Sequence, residues 1–322
     1  MGGDYAPGAI VQGALWAQTE FGVNLTLVGD EELIGNELKR AGKTGEGVHI
    51  HHCSQMVRMD ESPLKALRKK KDSSIMAAFD LVKKGKAQAV VSAGNSGATI
   101  SAAILILGKI KGVERPALAG IFPGAKGSVV LIDVGANVDT RARQLFDFGI
   151  MGDIFARVLL GIGNPKVGLL NIGQEGSKGN EKVRIAHDLF QRGPFDFVGN
   201  VEGRDIFSGD VQVIVCDGFV GNVALKLSEG MAETIGVMLE REMSGQLTSK
   251  IGFWLCRKAF RKFKRHLDYA EYGGAPVLGI KGVAIVCHGS STPKAIKNAI
   301  GTARDFVNNH AQERLEEGIA AI

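Results

Sequence analysis

Val129-Val-Leu-Ile-Asp-Val-Gly-Ala-Asn137 opens as an apolar, β-branched run and closes in a polar, glycine-containing turn that leads straight into a helical pattern. The run Val129–Ile132 predicts a strand, because β-branched side chains suit a pleated, buried surface. The same unit recurs outward in both directions. Short apolar runs at Leu25–Val28, Val48–His52, Ala89–Val91, Val167–Leu170, Val211–Val215 and Val283–Val286 alternate with longer helical patterns. Such alternation implies crossover connections, and so an α/β fold with a largely parallel sheet and helices on both faces.

Several of these runs end alike, in Ser92-Ala-Gly-Asn-Ser-Gly97, Asp133-Val-Gly-Ala-Asn137, Asn171-Ile-Gly-Gln-Glu-Gly176, Asp217-Gly-Phe-Val-Gly-Asn222 and His288-Gly-Ser-Ser-Thr292. In a parallel sheet all strand C-termini open on one edge, so the loops are expected to converge and to aim helix N-terminal N–H groups at one crevice. An anion would bind there. Glycine alone suits any tight strand-to-helix turn. Each loop, however, also carries Ser, Asn, Asp or Thr, which either cap helices or present side chains to a ligand.

The chain has 322 residues, 45% hydrophobic and 23% charged, and reads as a single α/β catalytic unit over residues 1–322. Its net charge of +5 argues only weakly for acidic partners. Cys53, Cys216, Cys256 and Cys287 lie far apart, without the pairing of a disulfide framework or a zinc site, which predicts reduced thiols. The apolar run Ala98–Gly108 is well short of the ~20 residues that span a bilayer, and the N-terminus lacks a signal-peptide plan. A soluble, cytoplasmic protein is expected.

One segment, 245–275, stands apart as a protruding, basic, amphipathic helical stretch. From Lys250 to Arg265 it holds seven basic residues and no acid. At ~100° per residue, Phe253, Leu255, Phe260 and Phe263 share one half of the helix, while most of the basic residues, Lys258 and Arg261 among them, fill the other with Trp254. That pattern fits a helix in an anionic membrane interface, or one packed on its own domain or on a second subunit. No nucleic-acid motif accompanies it.

Other chemistries find little support. Gly42-Lys43-Thr44 lacks the leading glycine of a P-loop, and neither a dinucleotide fingerprint nor a Gly-x-Ser-x-Gly elbow is present. His49, His51 and His52 surround a strand without a partner at recognisable ligand spacing, so no metal is expected. Cys216 and Cys287 end apolar strands and read as small buried hydrophobes rather than nucleophiles.

Met1-Gly-Gly-Asp-Tyr-Ala-Pro7, Ser92-Ala-Gly-Asn-Ser-Gly-Ala98, Asp133-Val-Gly-Ala-Asn-Val-Asp139, Asn171-Ile-Gly173 with Lys178-Gly-Asn180, Asp217-Gly-Phe-Val-Gly-Asn222 and Tyr272-Gly-Gly-Ala-Pro276 closely resemble the bacterial phosphate acyltransferase family, in order over essentially the whole chain. The resemblance implies transfer of a fatty acyl group from acyl-carrier protein to inorganic phosphate, giving acyl phosphate for phospholipid synthesis. It also implies no cofactor, a fold similar to that of phosphotransacetylases and the isocitrate/isopropylmalate dehydrogenase group, a homodimer, and peripheral contact with the inner face of the membrane. The family pattern opens with a short strand and an Asp-Ala pair before Met-Gly-Gly-Asp, whereas this sequence opens at the methionine. The resemblance therefore implies a trimmed start or a sheet with one strand fewer, which bears on the setting of Asp4.

The chemistry is undemanding, since phosphate carries a nucleophilic oxygen near neutral pH and a thiolate of pKa ~8.5 leaves readily. Positioning and oxyanion stabilisation remain for the enzyme. Ser92, Asn95, Ser96 and nearby N–H groups are expected to hold phosphate, with Lys178 supplying positive charge from a small-residue loop. Asn137, Asn180 and Asn222 are candidates for orienting phosphate or the thioester carbonyl. Asp217 would orient phosphate or act as base in reverse, while Asp4 and Asp133 complete the binding set, Asp133 with the alternative of bracing a turn. His288 is a further candidate for protonating the leaving sulfur. The rivals are a phosphotransacetylase acting on small acyl-CoA and a non-catalytic scaffold for carrier protein and lipid.

Overall fold

Alternate side chains of Val129–Ile132 enter two different cores, which shows that both faces of this strand are covered. Val130 and Ile132 join Leu15, Phe148, Met151, Phe155, Ile296 and Phe306 in one, and Val129 and Leu131 join Ile75, Phe79, Ala102, Ala103 and Phe122 in the other. The structure is a computed structural model describing residues 1–42, 47–245, 247–267 and 269–321; within its helical segments it does not describe the side chains of 244, 245, 247–251, 261, 264, 266, 267 and 269. Lys43 and Thr44 and the Arg261 side chain thus lie outside the described residues.

The strands are β1 (Leu25–Gly29), β2 (Val48–His52), β3 (Ala89–Ser92), β4 (Ala117–Gly124), β5 (Gly127–Ile132), β6 (Lys166–Leu170), β7 (Asp196–Val201), β8 (Val213–Val215), β9 (Ala275–Leu278) and β10 (Val283–Val286). The helices are α1 (Gly8–Phe21), α2 (Glu31–Arg40), α3 (Pro63–Lys69), α4 (Ser74–Lys83), α5 (Ser96–Ile106), α6 (Ala142–Leu159), α7 (Glu181–Phe190), α8 (Gly218–Gly245), α9 (Leu247–Leu267), α10 (Pro293–Asn308) and α11 (Ala311–Ala320). β1 and β2 form a parallel pair, and the other strands form one sheet in the order β3-β10-β9-β4-β5-β8-β6-β7. Each strand read from the sequence is present. β4, β7 and β9 were not read, because Gly, Pro, Ala, Asp and Asn interrupt their apolar runs and weaken the strand signal.

Those missed strands correct one expectation. Most pairings are parallel, but β9 runs antiparallel to both β10 and β4, and β4 antiparallel to β5. Consequently β3 and β10 point opposite to β5, β8, β6 and β7, and the glycine loops do not all leave from a single edge. The loops after β5, β6 and β8 form one group; those after β3 and β10 form another.

Helix α8 follows β8 directly. A Cβ at Gly221 would collide with the Asp133 carbonyl oxygen, so only glycine allows α8 to pack so closely on the turn after β5. Ala224 and Leu225 still touch the second core, but no described residue of α8 beyond Gly221 is buried. α9 packs back against α8. On α9, Phe253 and Phe260 lie with ring centroids 5.1 Å apart, which places them on one face, and Arg257 sits over the Trp254 ring at 5.7 Å. Several apolar side chains of this helix face solvent: Trp254 and Leu255 are 61% and 68% exposed. Among the described residues no helix is long and apolar enough to cross a membrane.

Gly221→Ala is expected to destabilise the protein by about 3 kcal/mol through overpacking. The urea midpoint measures this; an unchanged midpoint would show that α8 does not need its contact with the Asp133 turn.

Candidate active site

The first loop group is organised by Asp133, which is wholly buried. Its Oδ1 accepts from the N–H groups of Leu118 (2.9 Å), Gly135 (3.1 Å) and Ala136 (3.0 Å), and its Oδ2 from the N–H (2.6 Å) and Nδ2 (2.9 Å) of Asn137. Burial raises its pKa, and these donors oppose the rise. Asn137 Nδ2 also donates to the Pro116 carbonyl at 2.7 Å, and the Asn137 carbonyl accepts from the Gly218 N–H at 2.8 Å. The Asp133 carboxylate thus braces the turn, the alternative the sequence offered for it, the Asn137 amide nitrogen joins in that brace, and the Asn137 backbone carbonyl seats α8.

The loop after β6 carries Lys178. Its stem lies against Gly173, where a Cβ would come within 3.2 Å of Lys178 Cγ. Lys178 is exposed and makes no ion pair among the described residues. Asn180 Oδ1 accepts from the Val183 N–H at 3.0 Å and caps α7. Four residues beyond Lys178, on the first turn of α7, Lys182 pairs with Asp217 at 2.8 Å and with Asp139 at 3.8 Å. Asp217 uses its other oxygen to accept from the Val220 N–H at 2.9 Å, capping α8. Asn222 lies beside the turn after β5, 3.6 Å from the Cβ position of Gly135, and is exposed. The edge therefore gathers two capped helix N-termini, an unpaired lysine and two partly free asparagines.

The second group surrounds the N-terminal segment. The Asp4 N–H donates to the Gly289 carbonyl at 2.9 Å, and its carboxylate lies 3.2 Å from the Cβ position of Gly289. Ser92 Oγ accepts from the Gly94 N–H and pairs with Thr99 Oγ1 at 3.0 Å. Ser96, the first residue of α5, is exposed. Asn95 is fully engaged: Oδ1 caps α5 through the Ala98 N–H, and Nδ2 donates to the carbonyls of Arg58, Met59 and Glu61. Its side chain holds a neighbouring loop, with both amide hydrogens committed to those carbonyls.

α8 brings the two groups face to face. Asn222 and Lys226 are four residues apart and so share a helix face, about 6 Å from one another along the axis. Asn222 adjoins the turn after β5, and Lys226 Nζ bonds His288 Nε2 in the loop after β10. Because lysine only donates, His288 Nε2 accepts, and its Nδ1–H donates to Ser290 Oγ at 2.9 Å. Opposed strands thus still deliver their loops to one crevice, along the first turns of α8.

The remaining candidates stand apart from this chemistry. Burial pushes the Cys216 thiol well above its ordinary range, with Asp133 and Asp217 adding to the rise, and pushes Cys287 up to about 12. Neither is a ready thiolate. Among the described residues no group of three or more His, Cys, Asp and Glu side chains could hold a metal ion, the His49–His52 strand included. The sequence reading missed Lys182, Lys226 and Asn200. The first two follow Lys178 and Asn222 by four residues, a spacing visible in the sequence; Asn200 lies on β7, where no strand was read.

Comparison with known proteins is consistent across the chain. A family profile described as "Fatty acid synthesis protein" matches residues 1–314. The phosphate acyltransferase of Geobacter sulfurreducens is 53% identical over 317 residues, 98% of this chain and 92% of its own. That of Nitratidesulfovibrio vulgaris is 50% identical over 322 residues, 100% of this chain and 93% of its own. A phosphotransacetylase from Streptococcus pyogenes superposes with a TM-score of 0.63 at 16% identity, over 96% of this chain and 92% of its own. A putative 4-hydroxythreonine-4-phosphate dehydrogenase from Salmonella typhimurium gives 0.51 at 13% identity, over 92% and 97%. These two likenesses concern the fold alone.

Proposed function

The chain belongs to the phosphate acyltransferase family, and on that premise we propose that it moves a long-chain fatty acyl group from acyl-carrier protein to inorganic phosphate, releasing acyl phosphate and free carrier protein. The observation that carries this reading is Lys178: an exposed cation without a carboxylate partner among the described residues, on the same sheet edge as the N-termini of α7 and α8. An anion there gains a charge-assisted hydrogen bond and two favourable helix dipoles.

In this mechanism phosphate lies between the two loop groups. Lys178 neutralises it, Asn180 and Asn222 orient it or the thioester carbonyl, and Ser92, Ser96 and Asp4 bound it from the facing side. A phosphate oxygen attacks the carbonyl carbon, forming a C–O bond and a tetrahedral oxyanion, which collapses with cleavage of C–S. The electron pair leaves on the carrier thiolate, which takes a proton from solvent. Asp217, held by Lys182, orients phosphate forward and accepts the thiol proton in reverse. Asp133, Asn137 and Asn95 act at one remove, by holding the loops that carry these groups. The catalytic unit spans residues 1–322, and α8 and α9 form an arm on it.

The arm supports the remaining parts of the proposal. Phe219, Val223, Leu227, Met231, Ile235 and Met238 follow one face of α8 and are 60%, 53%, 66%, 52%, 39% and 61% exposed, an apolar stripe suited to a second copy of the chain in a homodimer. On α9, Phe253, Trp254, Phe260 and Phe263 with Lys258 and Arg261 suit an anionic membrane surface, which would place the enzyme at the cytoplasmic face close to lipid synthesis.

Palmitoyl-carrier protein and phosphate should yield acyl phosphate, trapped as a hydroxamate with hydroxylamine, while acetyl-CoA yields none; product from acetyl-CoA alone would instead identify a phosphotransacetylase. Lys178→Ala should lower turnover on the order of 10²- to 10³-fold, the range for losing an electrostatic stabiliser. Replacing Phe260 and Phe263 by Ala should release the protein from phosphatidylglycerol vesicles in a flotation assay with soluble activity retained. Unchanged flotation would assign the aromatic face to packing.

A further inference from the structure

Asn200 lies near the end of β7, opposite Leu169 of β6, and only 6% of its surface is exposed. Its position is a core position. Leu169, its neighbour across the β6–β7 pair, is a buried hydrophobic of the first core, and Val201, which follows Asn200, turns to the opposite face and the second core. At this position the amide leaves its Oδ1 buried with no hydrogen-bond partner among the described residues, which is unfavourable.

What the amide does is hold the lysine loop. Asn200 Nδ2 donates to the Glu175 carbonyl at 2.9 Å, and the same carbonyl accepts from the Lys178 N–H at 3.0 Å. At the other end of this turn, Asn171 Nδ2 donates to the Lys178 carbonyl at 3.0 Å, while Asn171 Oδ1 accepts from the Ile172 N–H at 2.8 Å. Gly179, with φ +90°, lets the chain turn past Asn171, since a Cβ there would lie 2.5 Å from Asn171 Oδ1. The four residues Glu175–Lys178 are themselves exposed, so packing does not fix them. Two asparagines, Asn200 on β7 and Asn171 just past the end of β6, clamp the turn, one at its first carbonyl and one at its last.

We propose that Asn200 is a positioning residue for Lys178: its buried amide fixes the turn from which the lysine reaches phosphate. The inference rests on the assignment of Lys178 to the phosphate site. Asn200 touches no substrate, and its whole effect passes through the lysine. A lysine on an unclamped turn would reach the phosphate in only a fraction of its conformations, and small misplacements of a catalytic group are costly.

The test is a double-mutant cycle, because a residue acting through Lys178 has nothing to act through once the lysine is gone. Asn200→Ala and the isosteric Asn200→Asp, which lacks the amide donor, are each made in the Lys178 and the Lys178→Ala backgrounds. With acyl-carrier protein saturating and phosphate varied, each should lower kcat/KM for phosphate on the order of 10- to 100-fold in the first background and leave it unchanged in the second. In parallel, the rise in thermal midpoint on adding phosphate reports binding without any acyl donor; it should shrink in Asn200→Ala and be unaffected by that change when Lys178 is absent. An equal loss in both backgrounds, or wild-type kcat/KM with Asn200→Ala, would overturn the inference. Full activity in Lys178→Ala would remove the lysine from the site and the inference with it. Absence of acyl phosphate from the unaltered enzyme would defeat the proposed reaction, while the phosphate-dependent midpoints would still decide the role of Asn200.

Discussion

The buried carboxylate of Asp133 is the constraint on which the rest of the site depends. It binds the N–H of Leu118 on β4, two N–H groups of its own turn, and Asn137, whose carbonyl in turn receives the Gly218 N–H at the start of α8. One side chain thereby ties a strand, a turn and a helix N-terminus. Burying a carboxylate is unfavourable unless its oxygens are matched by donors, and here each oxygen accepts more than one hydrogen bond. The direction of α8 is fixed by this arrangement together with the close approach of Gly221.

That direction explains how a mixed sheet makes a single crevice. β9 and β4 reverse the sheet, so the loops after β3 and β10 leave away from those after β5, β6 and β8. α8 starts in the first group and meets His288 of the second after about two turns, through Lys226. The crevice is thus built around a helix that bridges two half-sheets, rather than along one edge of a parallel sheet. The same helix then continues outward with its apolar stripe exposed, so the element that closes the site also carries the surface proposed for a second subunit.

Much of this was legible in the sequence because the signals are local. β-branched runs gave the strands that carry the polar loops, and small polar residues in glycine turns marked the loops themselves. The six motifs that resemble the phosphate acyltransferases extend over the chain, in agreement with relatives about half identical to it. What the sequence did not show is non-local. β4 and β9 carry Gly, Ala and Pro, hold their places by pairing with strands far away in the chain, and decide the sheet's polarity. For Asn95 and Asp133 the sequence left capping or bracing open beside ligand binding, and their hydrogen-bond partners, with those of Asn137, supply the bracing contacts. Asn200 lies on a strand with weak signal, and its partner Glu175 is 25 residues away.

The central claim is that phosphate binds beside Lys178, in the crevice between the two loop groups. A crystal structure of the protein grown with inorganic phosphate tests it most directly. The account predicts a phosphate within about 3 Å of Lys178 Nζ, with further bonds from Asn180, Asn222 or the serines of the facing group. A phosphate seated elsewhere, with Lys178 left in solvent, would contradict it.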